Sequence, residues 1–164
     1  MPGSLAAGEI VNYSEYSIST DKSRFDVNLI HEFLTNSYWA EGVPLEIVHR
    51  SIQNALCFGV FHGDRQVGFA RVISDFATYA YIGDVFVLQE HRGRGLGKLL
   101  MRAIMDHPEL QNLRRWSLVT SDAHGLYAQF GFTSLANPDG YMELRNPDVY
   151  KRATTKLKRK TPPC

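Results

Sequence analysis

The spacing of apolar and polar residues predicts one strand and two helices in the first third of the chain. Residues 13–18 alternate in the manner of a short β-strand. From Asp26, which is a suitable helix N-cap, apolar residues recur with the spacing of one helix face. Pro44 is placed to open a second helix that runs to about Asn54, because proline is well tolerated in the first helical turn.

The middle of the chain predicts three strands. Residues 56–62 and 66–73 are rich in β-branched and aromatic side chains, and Gly63-Asp64 between them is typical of a tight hairpin. Residues 78–88 are apolar enough to form a buried central strand.

The last part of the pattern predicts helices and strands in alternation. Apolar residues from Leu96 to Ile104 share one helix face, and Pro108 ends that helix. The later segments fit a strand, a short helix and a closing hairpin, over residues 116–120, 123–130, 133–135 and 141–144. This order predicts a mixed α/β fold rather than a regular βαβ repeat.

Length and composition favour a single soluble domain. The chain has 164 residues, of which 44% are hydrophobic, and a chain of that size buries roughly 70% of its unfolded surface around one core. We expect one domain over residues 1–150. No run approaches the ~20 apolar residues of a membrane helix, and neither a leader-like segment nor a disulfide framework is visible. A cytoplasmic protein without a membrane partner is therefore expected.

The near-neutral net charge of +1 conceals an uneven distribution. Six of the 18 basic residues lie in residues 151–160, which contain no acid, so residues 1–150 carry 12 basic and 17 acidic side chains. We expect residues 151–164 to be a disordered, solvated tail, since six charges without interleaved aromatic residues favour no specific nucleic acid. Nuclear import is the alternative that this basic run leaves open.

A glycine-rich segment after the central strand is the most informative feature of the sequence. It reads Arg92-Gly93-Arg94-Gly95-Leu96-Gly97-Lys98 and leads into a helix. Glycines allow a tight turn and close approach to a ligand, and a helix N-terminus attracts anions. The segment therefore predicts a phosphate site, with a turn of solvated arginines as the alternative.

Two familiar phosphate motifs do not fit this segment. A P-loop requires Ser or Thr after its lysine, whereas Leu99 follows Lys98. The dinucleotide fingerprint spaces its glycines differently and expects an acidic residue about 20 positions later, where this chain has Ser117.

The segment resembles the acetyl-CoA signature R/Q-x-x-G-x-G/A of the GNAT superfamily of N-acetyltransferases. A second stretch, Asp122-Ala123-His124-Gly125-Leu126-Tyr127 followed by Phe130-Gly131-Phe132, is similar to that family's N/D-A-x-x-x-Y motif and its glycine-phenylalanine pair. The resemblance extends from Tyr13 to about Arg145. It implies a mixed, mostly antiparallel sheet with splayed central strands, flanked by about four helices.

The resemblance also implies acetyl-CoA as co-substrate, with no metal. The backbone of the strand end would bond the pantetheine arm, and the glycine-rich loop would hold the pyrophosphate. The cofactor residues carried over by position are Val85, Phe86, Val87, Arg92, Gly93, Arg94, Gly95, Leu96, Gly97, Lys98, Asp122 and Tyr127.

Three residues are candidates for proton transfer. Tyr127 matches the tyrosine that donates a proton to the leaving thiolate, with a packed core aromatic as the alternative interpretation. Asp84, in an otherwise apolar strand, is the leading candidate to assist loss of the amine proton, and an Asp bonded to a nearby loop is the alternative. His124 is a second candidate, although a surface histidine is the simpler account.

The loop between the first two helices supplies the candidate acceptor residues Tyr38, Trp39 and Glu41, because aromatic rings and a carboxylate hold cations. Phe76, Thr78 and Tyr79 approach the same region in this prediction. The histidines show no metal-ligand spacing, and Cys57 lies in an apolar strand as a buried thiol.

The sequence therefore predicts acetyl transfer to the primary amine of a small cationic molecule, by direct attack in a ternary complex. The acidic body favours a cationic acceptor. A protein lysine or N-terminal acetyltransferase and a non-catalytic acyl-CoA sensor are the alternatives. The sequence leaves undecided whether the protein forms a homodimer.

Overall fold

The computed structural model describes residues 10–151, which build one six-stranded sheet. The strands follow chain order across it: β1 (Ile10–Tyr13), β2 (Tyr16–Ser19), β3 (Leu56–His62), β4 (Arg65–Ser74), β5 (Tyr79–Val87) and β6 (Arg115–Leu118). Neighbouring strands are antiparallel except β5 and β6, which are parallel. The prediction of a mixed, mostly antiparallel sheet is confirmed.

Four α-helices flank the sheet in the described part of the chain. They are α1 (Val27–Thr35), α2 (Leu45–Gln53), α3 (Leu96–Met105) and α4 (His124–Ala128). The predicted N-cap of α1 is confirmed, since the Asp26 carboxylate accepts a hydrogen bond from the Leu29 amide at 3.0 Å. Pro44 stands immediately before α2.

The helices bury two apolar cores, one on each face of the sheet. Side chains of α3 and α4 pack on one face, with Leu100, Ile104 and Tyr127 among them. Side chains of α1 and α2, including Ile30 and Val48, pack on the other face. The sheet is therefore covered on both sides, with the glycine-rich segment at the N-terminal end of α3.

The central strands separate, as the resemblance implies. Pairing of β5 with β6 runs from Tyr79 opposite Arg115 to Ile82 opposite Leu118, where β6 ends. Past Ile82, the side of β5 that faces β6 has no strand partner within residues 10–151. An open strand edge therefore lies beside the start of α3.

A bulge in β5 changes the face that its side chains take. Ile82 packs in the core beneath α3, whereas Phe86 packs beneath α1, although strict alternation would put both on one face. The register slips between them, where two residues of β5, Asp84 and Val85, oppose one residue of β4. The bulge thereby keeps Asp84 out of the apolar core.

The predictions of a strand over residues 13–18 and of a closing hairpin are wrong. Ser14 adopts a φ of 58°, so the run over 13–18 is split by a turn and β1 pairs with β2 as a hairpin. Residues 133–135 and 141–144 form no strand, and Met142 and Leu144 are 97% and 102% exposed. A segment forms a strand only where its backbone can pair with the edge of a sheet and its apolar side chains can be buried in a core.

Most of the predicted basic tail, residues 152–164, lies outside the described residues, as do residues 1–9. Lys151, the first residue of that tail, forms an ion pair with Asp148 at 3.3 Å. Among the helices that the structure describes, none is long and apolar enough to cross a membrane.

Candidate active site

The glycine-rich loop has the conformation that its composition predicts. Gly93 and Gly95 have φ angles of 75° and 79°, in the left-handed region that favours glycine. Gly95 is the N-cap of α3, and the Leu99 amide is bonded to its carbonyl at 3.1 Å. Amides in the first turn of a helix have no helical acceptor, so those before Leu99 can bind an anion.

The basic side chains of the loop differ in their contacts. Arg92 turns back onto its own strand, where Nε donates to the Val87 carbonyl at 2.9 Å and Nη1 donates to Gln89 at 2.8 Å. Arg94 and Lys98 are exposed at the start of α3, and Arg94 lies 3.9 Å from Glu15. Arg94, beside Glu15, and Lys98 thus face solvent where an anionic ligand can reach them, whereas Arg92 supports the loop.

The open edge of β5 presents backbone groups to the same region. The Leu88 amide donates to the Val67 carbonyl at 2.8 Å, and bonded positions alternate along an antiparallel ladder. The N–H and C=O of Val87 therefore point away from β4, towards the splay. Phe86 is buried between the strands and α1, and its ring stacks on Phe33 with centroids 3.9 Å apart.

Asp84 lies in the bulge at a φ of 55°, a conformation that Asp tolerates better than most residues. Its Oδ2 accepts a hydrogen bond from Arg71 Nε at 2.7 Å, and its Oδ1 accepts one from Trp39 Nε1 at 3.1 Å. The carboxylate thus joins β4 and β5 to the loop between α1 and α2.

Tyr127 lies on α4 in the core beneath α3 and is 8% exposed. Burial raises the pKa of its phenol, and the nearby Asp122 carboxylate adds to that rise. The phenol therefore keeps its proton throughout the neutral range. Asp122 and His124 are both exposed at the start of α4.

The predicted acceptor loop lies over the splay. Besides the Trp39–Asp84 bond, the Tyr38 hydroxyl accepts a long hydrogen bond from the Ser121 amide at 3.4 Å. The loop therefore reaches from β5 to the segment that follows β6. Glu41 is exposed farther along this loop.

The remaining acceptor candidates lie at the start of β5. Phe76 and Tyr79 are 46% and 37% exposed, and the Tyr79 hydroxyl forms a hydrogen bond with the Ser117 hydroxyl. The amide and the hydroxyl of Thr78 instead donate hydrogen bonds to the carboxylate of Asp75.

Three residues at this site escaped the sequence analysis: Arg71, Phe33 and Tyr81. An isolated arginine within the apolar strand β4 was the available signal for Arg71. Phe33 and Tyr81 carry no such signal, because aromatic residues at helix and strand spacing are ordinary core residues. Within residues 10–151, no cluster of His, Cys, Asp and Glu could hold a metal ion.

Comparisons with known proteins identify the family of the chain. The model of the acetyltransferase (GNAT) family matches residues 27–132. A Xanthomonas campestris protein, described as a "putative acetyltransferase belonging to the gnat family", is 56% identical, with a TM-score of 0.82 over 85% of this chain and 99% of that one.

Two further proteins are more distant. "Putative acetyltransferase FG08082" of Gibberella zeae is 26% identical over 136 residues, which cover 70% of this chain and 77% of that protein. A Clostridium acetobutylicum protein solved with acetyl-CoA is 17% identical and shares the fold at a TM-score of 0.56, over 79% of this chain and 94% of that one. Because the family model spans more than half of the chain, the protein belongs to the GNAT family of acetyltransferases.

Proposed function

We propose that this protein transfers an acetyl group from acetyl-CoA to a primary amine of a small cationic molecule. The observation that carries the proposal is that three elements beside the β5–β6 splay share the core on one face of the sheet. These are the open edge of β5 at Val87, the glycine-rich start of α3 and the buried phenol of Tyr127. Acetyl-CoA supplies the acetyl group as a reactive thioester.

The chain's own groups fit this co-substrate. Amides of the loop and of the first turn of α3 would hold the pyrophosphate, with Arg94 and Lys98 neutralising its charge. The outward N–H of Val87 and the backbone of Val85 would bond the pantetheine arm and the thioester carbonyl, whereas the same alternation turns the backbone of Phe86 towards β4. One such N–H directed at a developing negative charge contributes about 3–4 kcal/mol in acyl-transfer enzymes.

We propose direct attack by the amine. The amine nitrogen forms the new bond to the acetyl carbon, the carbon–sulfur bond breaks, and Tyr127 donates its proton to the sulfur. The ammonium loses one proton to water before the attack, and the second proton, which the nitrogen loses after the new bond has formed, returns through solvent to the Tyr127 phenolate. No acyl-enzyme is involved in this scheme, and burial raises the pKa of Cys57, the cysteine within residues 10–151, to about 12.

Asp84 anchors the acceptor loop in this scheme. Both of its carboxylate oxygens are engaged, one by Arg71 and one by Trp39, so its contacts fit an Asp bonded to a nearby loop. That loop reaches across the splay from Asp84 to Ser121. We propose that it narrows the entrance to the site, which favours a small amine over a protein acceptor.

The test is release of CoA thiol from acetyl-CoA in the presence of a panel of small amines. We expect Tyr127→Phe to lower kcat by about 100-fold, the lower end of general acid catalysis, without changing acetyl-CoA binding. Tyr141→Phe is the control, since it removes a phenol oxygen from a partly exposed tyrosine outside the site. Equal activity of Tyr127→Phe and the wild type would refute the acid assignment, and a panel without any acceptor would refute the function.

A further inference from the structure

A buried residue stands at each end of the exposed part of the glycine-rich loop. Residues 92–95 are all exposed, whereas His91 before them and Leu96 after them are 9% and 4% exposed. Leu96 belongs to the apolar core that α3 covers. His91 is a polar residue, and buried polar side chains normally have a hydrogen-bonding partner.

Tyr16, the first residue of β2, is the partner of His91. Its hydroxyl oxygen lies 2.9 Å from His91 Nδ1, and the two rings meet edge to face with centroids 5.8 Å apart. Tyr16 is buried and pairs across the sheet with His62 at the end of β3. The centroid of the His62 ring lies 4.9 Å from that of Tyr16 and 5.5 Å from that of His91. Rings from three separate segments therefore meet where the glycine-rich loop begins.

Other contacts at this end of the loop are local or exposed. His91 ends a short turn over Gln89–His91, in which its amide donates to the Leu88 carbonyl at 2.9 Å. The hydrogen bonds of the Arg92 side chain also stay within residues 87–92. The ion pair of Glu90 with Arg65 is mostly exposed, and such pairs contribute little. The Tyr16–His91 bond differs from these contacts because it is buried and joins this end of the loop to another strand.

We propose that His91 is a positioning residue for the phosphate groups of acetyl-CoA, and that Tyr16 holds His91 in place. This inference rests on the proposed function, because it assumes that the glycine-rich loop binds the pyrophosphate. Gly93 and Gly95 give that loop more conformational freedom than other residues would. Freedom that is lost on binding weakens affinity, so a bond that fixes one end of the loop beforehand strengthens binding. The phosphates contact the amides of the loop, and neither ring needs to touch them.

The experiment is calorimetric titration of CoA and of inorganic pyrophosphate into the wild type and Tyr16→Phe. The substitution removes the hydroxyl and keeps the ring, so the packing of the three rings is preserved. We expect Tyr16→Phe to weaken the binding of each ligand by about 5–10-fold, the effect of losing one hydrogen bond. In the thiol-release assay, KM for acetyl-CoA should rise by a similar factor while kcat changes by less than about 2-fold.

Two control variants separate positioning from a loss of stability or charge. Ile52→Val shortens a buried side chain on the opposite face of the sheet, and it should lower stability in urea about as much as Tyr16→Phe. Glu15→Gln changes the neighbour of Tyr16 and removes a carboxylate that lies 3.2 Å from His62 and 3.9 Å from Arg94. Neither control should weaken the binding of CoA, because neither touches the bond to His91 and the second removes a negative charge beside the anion site.

Variants of His91 test whether the bond itself is responsible. His91→Phe keeps a ring without the nitrogen and should weaken CoA binding as Tyr16→Phe does. His91→Asn retains a hydrogen-bonding atom close to the position of Nδ1 and should preserve most of the affinity. The double variant Tyr16→Phe/His91→Phe should bind CoA no more weakly than either single variant, since both remove the same bond.

The outcomes distinguish this inference from the proposed function. Unchanged CoA binding in Tyr16→Phe, equal weakening in either control, or additive losses in the double variant would overturn the positioning role. A wild type that binds CoA but not pyrophosphate would also overturn it. Weakened binding in Tyr16→Phe, together with absent turnover of every amine, would support the positioning role and refute the acetyltransferase proposal.

Discussion

Replacing Arg71 with Met should remove the partner of a buried carboxylate. Arg71 and Asp84 are 19% and 12% exposed and joined at 2.7 Å, so water compensates little for the loss. Asp84 would keep its bond from Trp39 but retain an uncompensated charge between two strands. We therefore expect Arg71→Met to destabilise the fold far more than a surface substitution does.

The magnitude follows from the degree of burial. Breaking a fully buried ion pair by removing one partner costs about 3–5 kcal/mol. Because this pair keeps a little solvent contact, we expect a loss of about 3 kcal/mol in the free energy of unfolding, or about 6–12 °C in Tm for a chain of this length. The double variant Arg71→Met/Asp84→Asn removes the stranded charge and should recover about 2 kcal/mol.

Urea unfolding followed by circular dichroism measures these differences. Asn suits the Asp84 position because it also tolerates a positive φ. The control is Arg65→Met, since the ion pair of Arg65 with Glu90 is 65% and 55% exposed and should contribute less than about 1 kcal/mol. If Arg71→Met were no more destabilising than Arg65→Met, or if the double variant were additive, the anchoring role of Asp84 would be refuted.

The same variants distinguish an anchoring Asp84 from a catalytic base. A base lost by Asp84→Asn would lower kcat by about 100-fold or more and change its pH profile. An anchor predicts a change in kcat below about 10-fold, with the main effect on acceptor KM, because the acceptor loop is held less firmly. Turnover of Asp84→Asn across pH 6–9 (about the working range of such enzymes) decides between the two roles.

Three further outcomes follow from the structure. In the variant Cys164→Ser, Cys57 of the native protein should resist iodoacetamide, since burial raises the pKa of its thiol to about 12. Labelling of Cys57 should appear only in denaturant, and rapid labelling of the native protein would contradict its burial. Burial lowers the pKa of His107 below its usual value of 6.5, so folding stability should fall as pH drops below that value, and His107→Leu should flatten this slope in urea titrations at pH 5 and 7. Gly95→Ala should weaken CoA binding by about 10-fold in calorimetry because its φ of 79° disfavours a side chain, costing about 1–2 kcal/mol. The control Gly63→Ala bears similar strain at a φ of 59° in the β3–β4 turn and should leave CoA binding unchanged.

Local sequence signals predicted much of this fold. The strand over residues 56–62 is observed with the predicted bounds, because its composition and the hairpin signal at Gly63-Asp64 agree. The cap at Asp26 and the glycine loop before α3 were also visible, since each depends on residues that are neighbours in the chain. Sequence signals are sufficient to predict the structure of a segment whose stabilising contacts lie among its own residues.

The segments that need a distant partner were predicted less well. Residues 141–144 were predicted to be one strand of a closing hairpin, yet within the described residues they pair with no strand of the sheet. Asp84 was recognised as unusual, but its partners Arg71 and Trp39 lie 13 and 45 positions away in the chain. No spacing rule connects such residues.

The sequence alone identified the family and predicted a phosphate site at the glycine-rich loop and an acid at Tyr127, because these depend on short motifs with fixed spacing. Only the tertiary structure decided what surrounds them. The bulge after Gly83 moves Asp84 from the core face to Arg71, and this places Trp39 over the splay. The register of β5 against β4 thus set the contacts between Asp84 and the candidate acceptor loop, because pairing between strands, rather than the order of residues within one, fixes which side chains meet.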